Sequence, residues 1–102
     1  MIILLNKKAD LTDEAFTKYL LGTHAPLAKK MPGLRRYVVN VVKRPPTRNP
    51  EYEGVAELWF DDAGSMKAAF ASPEGVATQK DTENFTSKST ALYIDEHVMA
   101  QN

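Results

Sequence analysis

The residues of this sequence that could do chemistry are few, and they gather in residues 23–37, THAPLAKKMPGLRRY. His24 is one of only two histidines in the chain. Imidazole groups titrate near neutral pH, which suits general acid/base catalysis. Gly22 and Pro26 flank it and are expected to break a helix there. Two interpretations stay open: a proton-transfer residue, or a histidine that hydrogen-bonds a free carbonyl at the broken helical turn.

A second group of candidates is aromatic. Tyr37 follows a Pro-Gly turn and lies on a segment typical of a strand. Its hydroxyl could polarise a ligand oxygen beside His24, or it could need only one partner in a core. His97 is expected to face either a pocket or a dimer contact. Trp59 also fits a core or a dimer interface. The residues that could bind a ligand by shaping an apolar pocket are Phe16, Trp59 and Phe70, with His97 at its border.

Composition excludes several kinds of site. The chain has no cysteine, which removes disulfides, thiolate nucleophiles and thiolate metal ligands. Two histidines alone make a structural zinc site improbable, and Asp61-Asp62 beside Glu57 is interpreted as helix-start charge rather than a metal site. The glycine-rich motifs of nucleotide-binding proteins and the Gly-x-Ser-x-Gly elbow are absent. We therefore expect neither a metal nor a cofactor.

Charge indicates no polyanionic partner. Lysine plus arginine equals aspartate plus glutamate, 13 each. Residues 29–48 are basic without an acid, but such a run is usually a solvated rim, so we expect no nucleic acid partner. No stretch approaches the ~18 apolar residues of a membrane helix. The first ten residues lack the pattern of a signal peptide, so we expect no membrane association and a cytoplasmic protein.

The elements that must position these residues follow from hydrophobic patterns. A length of 102 residues and 43% apolar residues suit one domain, 1–102. Acidic residues after Thr12 mark a helix start. That helix is expected to kink near His24 and to continue to Met31. Further helices are expected after Asp61-Asp62 and from Ser72-Pro73 towards Asn84, and strands at 1–5, 34–43, 54–60 and 91–99, with a proline-rich loop at 44–53.

This order predicts an α+β protein with a ferredoxin-like βαββαβ sandwich. Both helical parts would cover one face of a four-stranded sheet. The first strand is apolar on both faces, so the second face also needs a cover. A second copy of the chain can supply it, which predicts a homodimer whose two sheets form a dimeric α/β barrel.

Three segments, HAPLAKKMPGLRRY, ELWFDD and DEHVM, resemble the EthD family, in the family's order and over nearly the whole of residues 1–99. The family takes its name from a gene cluster for ethyl tert-butyl ether degradation. The resemblance implies the dimeric α/β-barrel fold. Similar barrels include methylmuconolactone isomerases, polyketide cyclases, dehydratases and cofactor-free monooxygenases. In the isomerases, a histidine and a tyrosine resembling His24 and Tyr37 line the pocket and take part in catalysis or substrate binding.

Three functions are therefore compared. The first is an enzyme, or an accessory protein of a degradation pathway, that acts on a small apolar organic molecule with His24 as general acid/base. The compound could be an ether, an aromatic compound or a lactone. The second is a non-catalytic binder of such a molecule, and the third is a cofactor-free monooxygenase. The cysteines of some isomerase relatives are absent here, which argues against lactone isomerisation itself.

Overall fold

The computed structural model describes all 102 residues and contains a four-stranded antiparallel sheet, in which the strands lie side by side in the order second, third, first, fourth along the chain. The order of the elements confirms the predicted ferredoxin-like α+β fold. The strands are β1 Ile2–Lys7, β2 Arg36–Val41, β3 Gly54–Trp59 and β4 Thr86–Leu92. The helices are α1 Asp13–Tyr19, α2 Ala25–Ala28, α3 Ala63–Ala71 and α4 Pro73–Thr82, and a π-helical segment, Leu20–His24, joins α1 to α2.

The helix starts lie where the sequence predicts them. The side chains of Thr12, Asp62 and Ser72 each accept a hydrogen bond from the backbone N–H three residues further on. Such caps satisfy amide groups that have no partner inside the helix. Pro26 does not end the helical path, because it lies in the first turn of α2, where a missing N–H is tolerated.

The prediction of a last strand at residues 91–99 is wrong. The strand is β4, Thr86–Leu92, and residues 93–102 have no regular secondary structure. β4 lies at the edge of the sheet and consists mainly of Ser, Thr and Lys, so it lacks the apolar alternation that marks a half-buried strand. The apolar side chains of Tyr93, Val98 and Met99, which favoured the later position, are exposed.

The strand register divides the sheet into two faces. Tyr37 pairs with Leu58, which is buried under the helices. Arg36 pairs with Trp59, and because side chains alternate along a strand, this pair lies on the opposite face. We call that second face the open face, since the helices pack on the other one. Its apolar side chains are Ile2, Leu4, Val38, Val55, Trp59 and Leu92.

The helix-covered face carries two clusters of buried side chains. One consists of Leu5, Phe16, Leu20 and Phe85. The other consists of Ala28, Met31, Ala56, Leu58 and Ala69. Both clusters border the cavity described below, so the core also forms the walls of the site. None of the helices has the length and apolar character needed to span a membrane.

Shortening the loop between β2 and β3 is expected to change the free energy of unfolding by less than about 1 kcal/mol, since loop length contributes only weakly. The loop is anchored at its ends, where Arg44 contacts Asp13 at 2.8 Å and the Glu53 N–H donates to the Leu5 carbonyl at 3.0 Å. Residues 45–50 hydrogen-bond only within the loop. Urea denaturation of a variant with this stretch replaced by two glycines measures the effect. A loss of several kcal/mol would show that the loop is part of the core.

Candidate active site

A cavity of about 550 Å³ lies between the sheet and the helices. This volume is within the usual range of small-molecule sites. The strands and helices supply apolar side chains over most of its wall, while α4 and β4 supply hydroxyl and amide groups. The apolar wall includes Ile3, Leu20, Met31, Leu58, Met66 and Phe70, and the polar wall includes Thr78, Gln79, Thr82, Thr86 and Ser89.

His24 lies at the last position of the π-helical segment and borders this cavity. Its ring nitrogen Nδ1 is 2.9 Å from Oδ2 of Asp81 at the end of α4, and the two side chains are only 9% and 11% exposed. The wider π turn replaces the helix break that Gly22 and Pro26 predict. π-helical turns occur often at functional sites, and here the turn ends on the histidine.

Asp81 is the centre of a hydrogen-bond network. The Tyr19 hydroxyl donates to its Oδ1 at 2.6 Å, and the Asn84 amide donates to the same atom at 3.0 Å. Burial raises the pKa of Asp81, but the hydrogen bonds from Tyr19, His24 and Asn84 outweigh it and hold that pKa below its usual value. An ionised carboxylate only accepts hydrogen bonds, so Nδ1 of His24 must carry a proton.

The same contacts keep Tyr19 neutral. Its hydrogen bond to Asp81 and its burial both raise the pKa of the phenol. Tyr19 therefore remains a hydrogen-bond donor at neutral pH and restrains the carboxylate that holds His24.

Phe85 holds the histidine ring from the other side. Its ring centroid is 4.8 Å from that of His24 and 5.0 Å from that of Tyr19, and the side chain is fully buried. Phe16 packs against Phe85 at 5.5 Å. The imidazole is thus fixed by a carboxylate at one nitrogen and by an aromatic face.

Nε2 of His24 and the hydroxyl oxygen of Tyr37 have no hydrogen-bond partner inside the protein. Every fully enclosed side-chain nitrogen or oxygen in the structure has a hydrogen-bond partner. These two atoms therefore reach accessible space, and both residues border the cavity. A ligand there can meet an acceptor, Nε2 of the neutral imidazole, and a donor, the phenol.

Tyr37 lies on the helix-covered face of β2 and packs against the cluster that contains Leu58. Burial raises the pKa of Tyr37 to about 12. The phenol therefore stays protonated at neutral pH and acts as a donor. No hydrogen bond joins Tyr37 to His24, which packs against Phe85 in the other cluster. The structure brings the two residues to one cavity, but not into contact.

The other predicted site residues have different places. Phe70 borders the cavity, as expected. Phe16 does not, because it is 1% exposed and packs inside the core. Trp59 lies on the open face under the Arg36 guanidinium, 5.0 Å from the ring centroid, and its indole N–H donates to Glu96. His97 is exposed in the C-terminal segment. The expectation that Phe16, Trp59 and His97 border this pocket is corrected.

Asp81 is the residue that sequence reasoning missed. It is 57 positions from His24, and nothing in its neighbourhood of the sequence distinguishes it from other acids on a helix surface. The expectation that His24, if structural, bonds a free carbonyl is also corrected, since its partner is a carboxylate. The sequence indicates the helices that carry Tyr19 and Asp81, but the contacts of Asp81 with Tyr19 and His24 depend on how those helices pack.

Asp81→Asn is expected to reduce the acid sensitivity of the fold. The pKa of Asp81 is lower in the folded state than in the unfolded chain, so the ionised carboxylate stabilises the fold. This contribution is fully present above the unfolded pKa of about 3.9 and is lost as the pH falls through the folded pKa. Urea denaturation at pH 7 and at several values below about 4 should show a smaller loss for Asp81→Asn than for the wild type. Asp10→Asn, an exposed change, is the control. Equal acid sensitivity of wild type and Asp81→Asn would contradict this prediction.

Comparison with known proteins gives consistent matches over the chain. The model of the EthD domain matches residues 8–89. The uncharacterized 11.0 kDa protein of the thcB-thcC intergenic region of Rhodococcus erythropolis is 31% identical over 98 residues, covering 95% of this chain and 93% of its own length. The crystal structure of an EthD family protein from Bacillus halodurans is 32% identical, covers 95% of this chain and 96% of its own, and has a TM-score of 0.77.

Two more distant structures share the fold. A dimeric ferredoxin-like protein of unknown function from Thermobifida fusca has a TM-score of 0.69 at 14% identity, over 89% of this chain and 83% of its own. SnoaB, a cofactor-independent oxygenase from Streptomyces nogalater, has a TM-score of 0.64 at 15% identity, over 98% of this chain and 96% of its own. At these identities, the two structures show a fold shared with this chain.

Proposed function

We propose, since the chain belongs to the EthD family, that the protein binds a small, mainly apolar organic molecule in the cavity and transforms it by proton transfer through His24. One observation carries this proposal: a histidine with Nδ1 fixed by a buried carboxylate, while Nε2 opens to a mainly apolar cavity. A histidine with a purely structural role would not need a free nitrogen at such a place.

His24 is the general base in this proposal. Its Nε2 takes a proton from a hydroxyl group or from a carbon next to a carbonyl, and it later returns that proton to another atom of the ligand. Asp81 keeps the proton of the imidazole on Nδ1 and stabilises the imidazolium that forms, as a carboxylate does in other catalytic pairs. No co-reactant is consumed, since the proton leaves and re-enters the same molecule.

Tyr37 is the complementary donor. Removal of a proton next to a carbonyl places negative charge on the carbonyl oxygen, and a neutral phenol can donate a hydrogen bond to it. The apolar wall formed by Met31, Leu58 and Phe70 excludes water and strengthens such electrostatic contacts. Isomerisation, dehydration and cyclisation without a cofactor are the reactions that this pair of groups supports.

Two alternative functions would use the same cavity. A non-catalytic binder or accessory protein would hold the ligand without exchanging its protons. A cofactor-free monooxygenase would use His24 to deprotonate the ligand before oxygen reacts, and the shared fold of SnoaB makes it worth testing. Ethers, aromatic compounds and lactones are the first ligand classes to test, because the family name refers to ether degradation. The cytoplasmic location remains a prediction.

Deuterium exchange tests the proposed function without knowledge of the natural substrate. The protein is incubated in D₂O with cyclic ketones, 1,3-diketones, phenols and lactones, and exchange at carbon is followed by NMR while an oxygen electrode records uptake. We expect exchange that depends on His24, with no oxygen uptake. Binding without exchange would indicate the non-catalytic binder, and oxygen uptake would indicate the monooxygenase. A protein that neither binds nor exchanges any of these compounds would show the proposal to be wrong.

The proposed assembly is a homodimer in which the open faces of two sheets meet. The open face carries Ile2, Leu4, Val38 and Val55, and no element of the chain covers them. Leaving this much apolar surface in water is unfavourable. The Thermobifida fusca protein, which has the same fold, is dimeric, and this supports a homodimer here.

Leu4→Glu is expected to convert the dimer to a monomer, because it places a charge in the middle of the proposed interface. Light scattering at micromolar concentration measures the mass of wild type and variant. Glu14→Leu, an exposed change on α1, is a control that should remain dimeric. A wild-type protein that is a stable monomer at this concentration would contradict the dimer.

A further inference from the structure

A second concavity, of about 410 Å³, adjoins the cavity that contains His24. The two share four bordering residues: Met1, Leu58, Met66 and Tyr93. We call the second one the side compartment; it is further bordered by Phe60, Asp62, Ala63, Ile94 and Asp95. Because the shared residues border both spaces, a ligand in the first can extend into the second.

The side compartment continues the apolar wall of the main cavity. Phe60 borders the side compartment and Phe70 borders the main cavity, and the two rings are in contact with centroids 6.1 Å apart. Met66 lies on α3 between them in sequence and borders both spaces. An apolar chain can therefore run from one space into the other along Met66 and this aromatic pair.

The side compartment has charges of both signs at its border. The carboxylates of Asp62 and Asp95 border it, and so does Met1, whose α-ammonium group donates to the Leu58 carbonyl at 3.0 Å. The Asp62 carboxylate accepts the N–H of Ser65 at the start of α3. The other bordering residues are uncharged and mainly apolar, so the compartment favours an apolar group.

We infer that the side compartment binds the apolar tail of a ligand whose oxygen-bearing head lies at His24 and Tyr37. The substrate class is an elongated molecule: a hydroxyl- or carbonyl-bearing ring or chain end with an alkyl or aryl substituent. This inference rests on the proposed function for the position of the head. It goes beyond that function in assigning a second site and a length to the ligand.

Calorimetric titration with para-ethyl-, para-butyl- and para-hexylphenol tests the inference, because these probes share a hydroxyl head and differ only in tail length. We expect affinity to rise about threefold to fourfold for each added methylene, which corresponds to about 0.8 kcal/mol for each buried CH₂.

Ala63→Phe supplies the blocking variant, since Ala63 is exposed at the start of α3 and borders the side compartment. It should abolish the gain with tail length and leave the affinity for para-ethylphenol unchanged. Ala68→Phe, on an exposed position of the same helix away from both spaces, is the matched control and should keep the gain. Thermal melts of both variants show that they fold.

Several outcomes would overturn the inference: no binding of any alkylphenol, affinity independent of tail length, or a gain that persists in Ala63→Phe. A different result would show that the proposed function is wrong while the side compartment still binds a tail. The gain in affinity with tail length would then be lost in Ala63→Phe, but His24→Ala would leave the affinity for every alkylphenol unchanged.

Discussion

Replacing His24 with alanine is expected to lower turnover by about 10²–10⁴-fold, the usual contribution of general acid/base catalysis. The change removes Nε2, which opens to the cavity, and Nδ1, which pairs with Asp81. Asp81 keeps the Tyr19 and Asn84 donors, so the carboxylate is not left without partners. The variant should therefore fold and dimerise, and a thermal melt beside the rate of proton exchange separates the two effects.

Tyr37→Phe is the matched comparison for this prediction. It keeps the ring that packs against Leu58 and removes only the hydroxyl, so its rate should fall less than that of His24→Ala. A His24→Ala protein that melts far below the wild type would indicate that the histidine is structural. One that melts and reacts normally would remove His24 from the site.

Gly75→Ala is expected to destabilise the fold by about 3 kcal/mol, the upper end of the usual range for overpacking. A Cβ atom at this position would lie 2.1 Å from the carbonyl oxygen of Ala69 and 2.6 Å from the Cα of Phe70. Both are backbone atoms, so α3 and α4 would have to move apart. Phe70 borders the cavity, so this movement should also weaken ligand binding. Urea denaturation measures the loss.

Gly64→Ala, a change of the same type in α3, is the control for Gly75→Ala in α4. Its Cβ atom would lie 3.5 Å from Asp62 Oδ1, an ordinary contact. Replacing a helical glycine without strain usually stabilises by about 0.4–1 kcal/mol, because the unfolded chain becomes less flexible. If Gly75→Ala were as stable as the wild type, the close approach of α3 and α4 in the structure would be wrong.

Local signals explain why so much of the fold could be predicted. Thr12, Asp62 and Ser72 cap helices through contacts with residues three positions away, so the sequence contains both partners. The π-helical segment lies where Gly22 and Pro26 interrupt the α-helical pattern of the sequence. His24, Tyr37 and Phe70 border one cavity because the helical segments pack on one face of the sheet and the Tyr37 side chain lies on that face of β2.

The errors share a different cause: they depend on contacts between distant residues or on which face a residue presents. Trp59 and Leu58 are neighbours, and a shift of one residue along a strand exchanges the two faces. Phe16 and Phe70 both lie on apolar helix faces, but only packing decides which one reaches a cavity. Asp81 meets His24 only because α4 packs near the π-helical segment. No local pattern contains that contact.

The most direct test of the proposed role of His24 is ¹⁵N NMR of its imidazole ring during titration with para-ethylphenol. The expected result is a proton on Nδ1, held by Asp81, and an Nε2 resonance that shifts as the phenol binds, while the exposed His97 stays unchanged. An Nε2 resonance of His24 that does not move when the phenol is bound, or an Nδ1 without a proton, would contradict it.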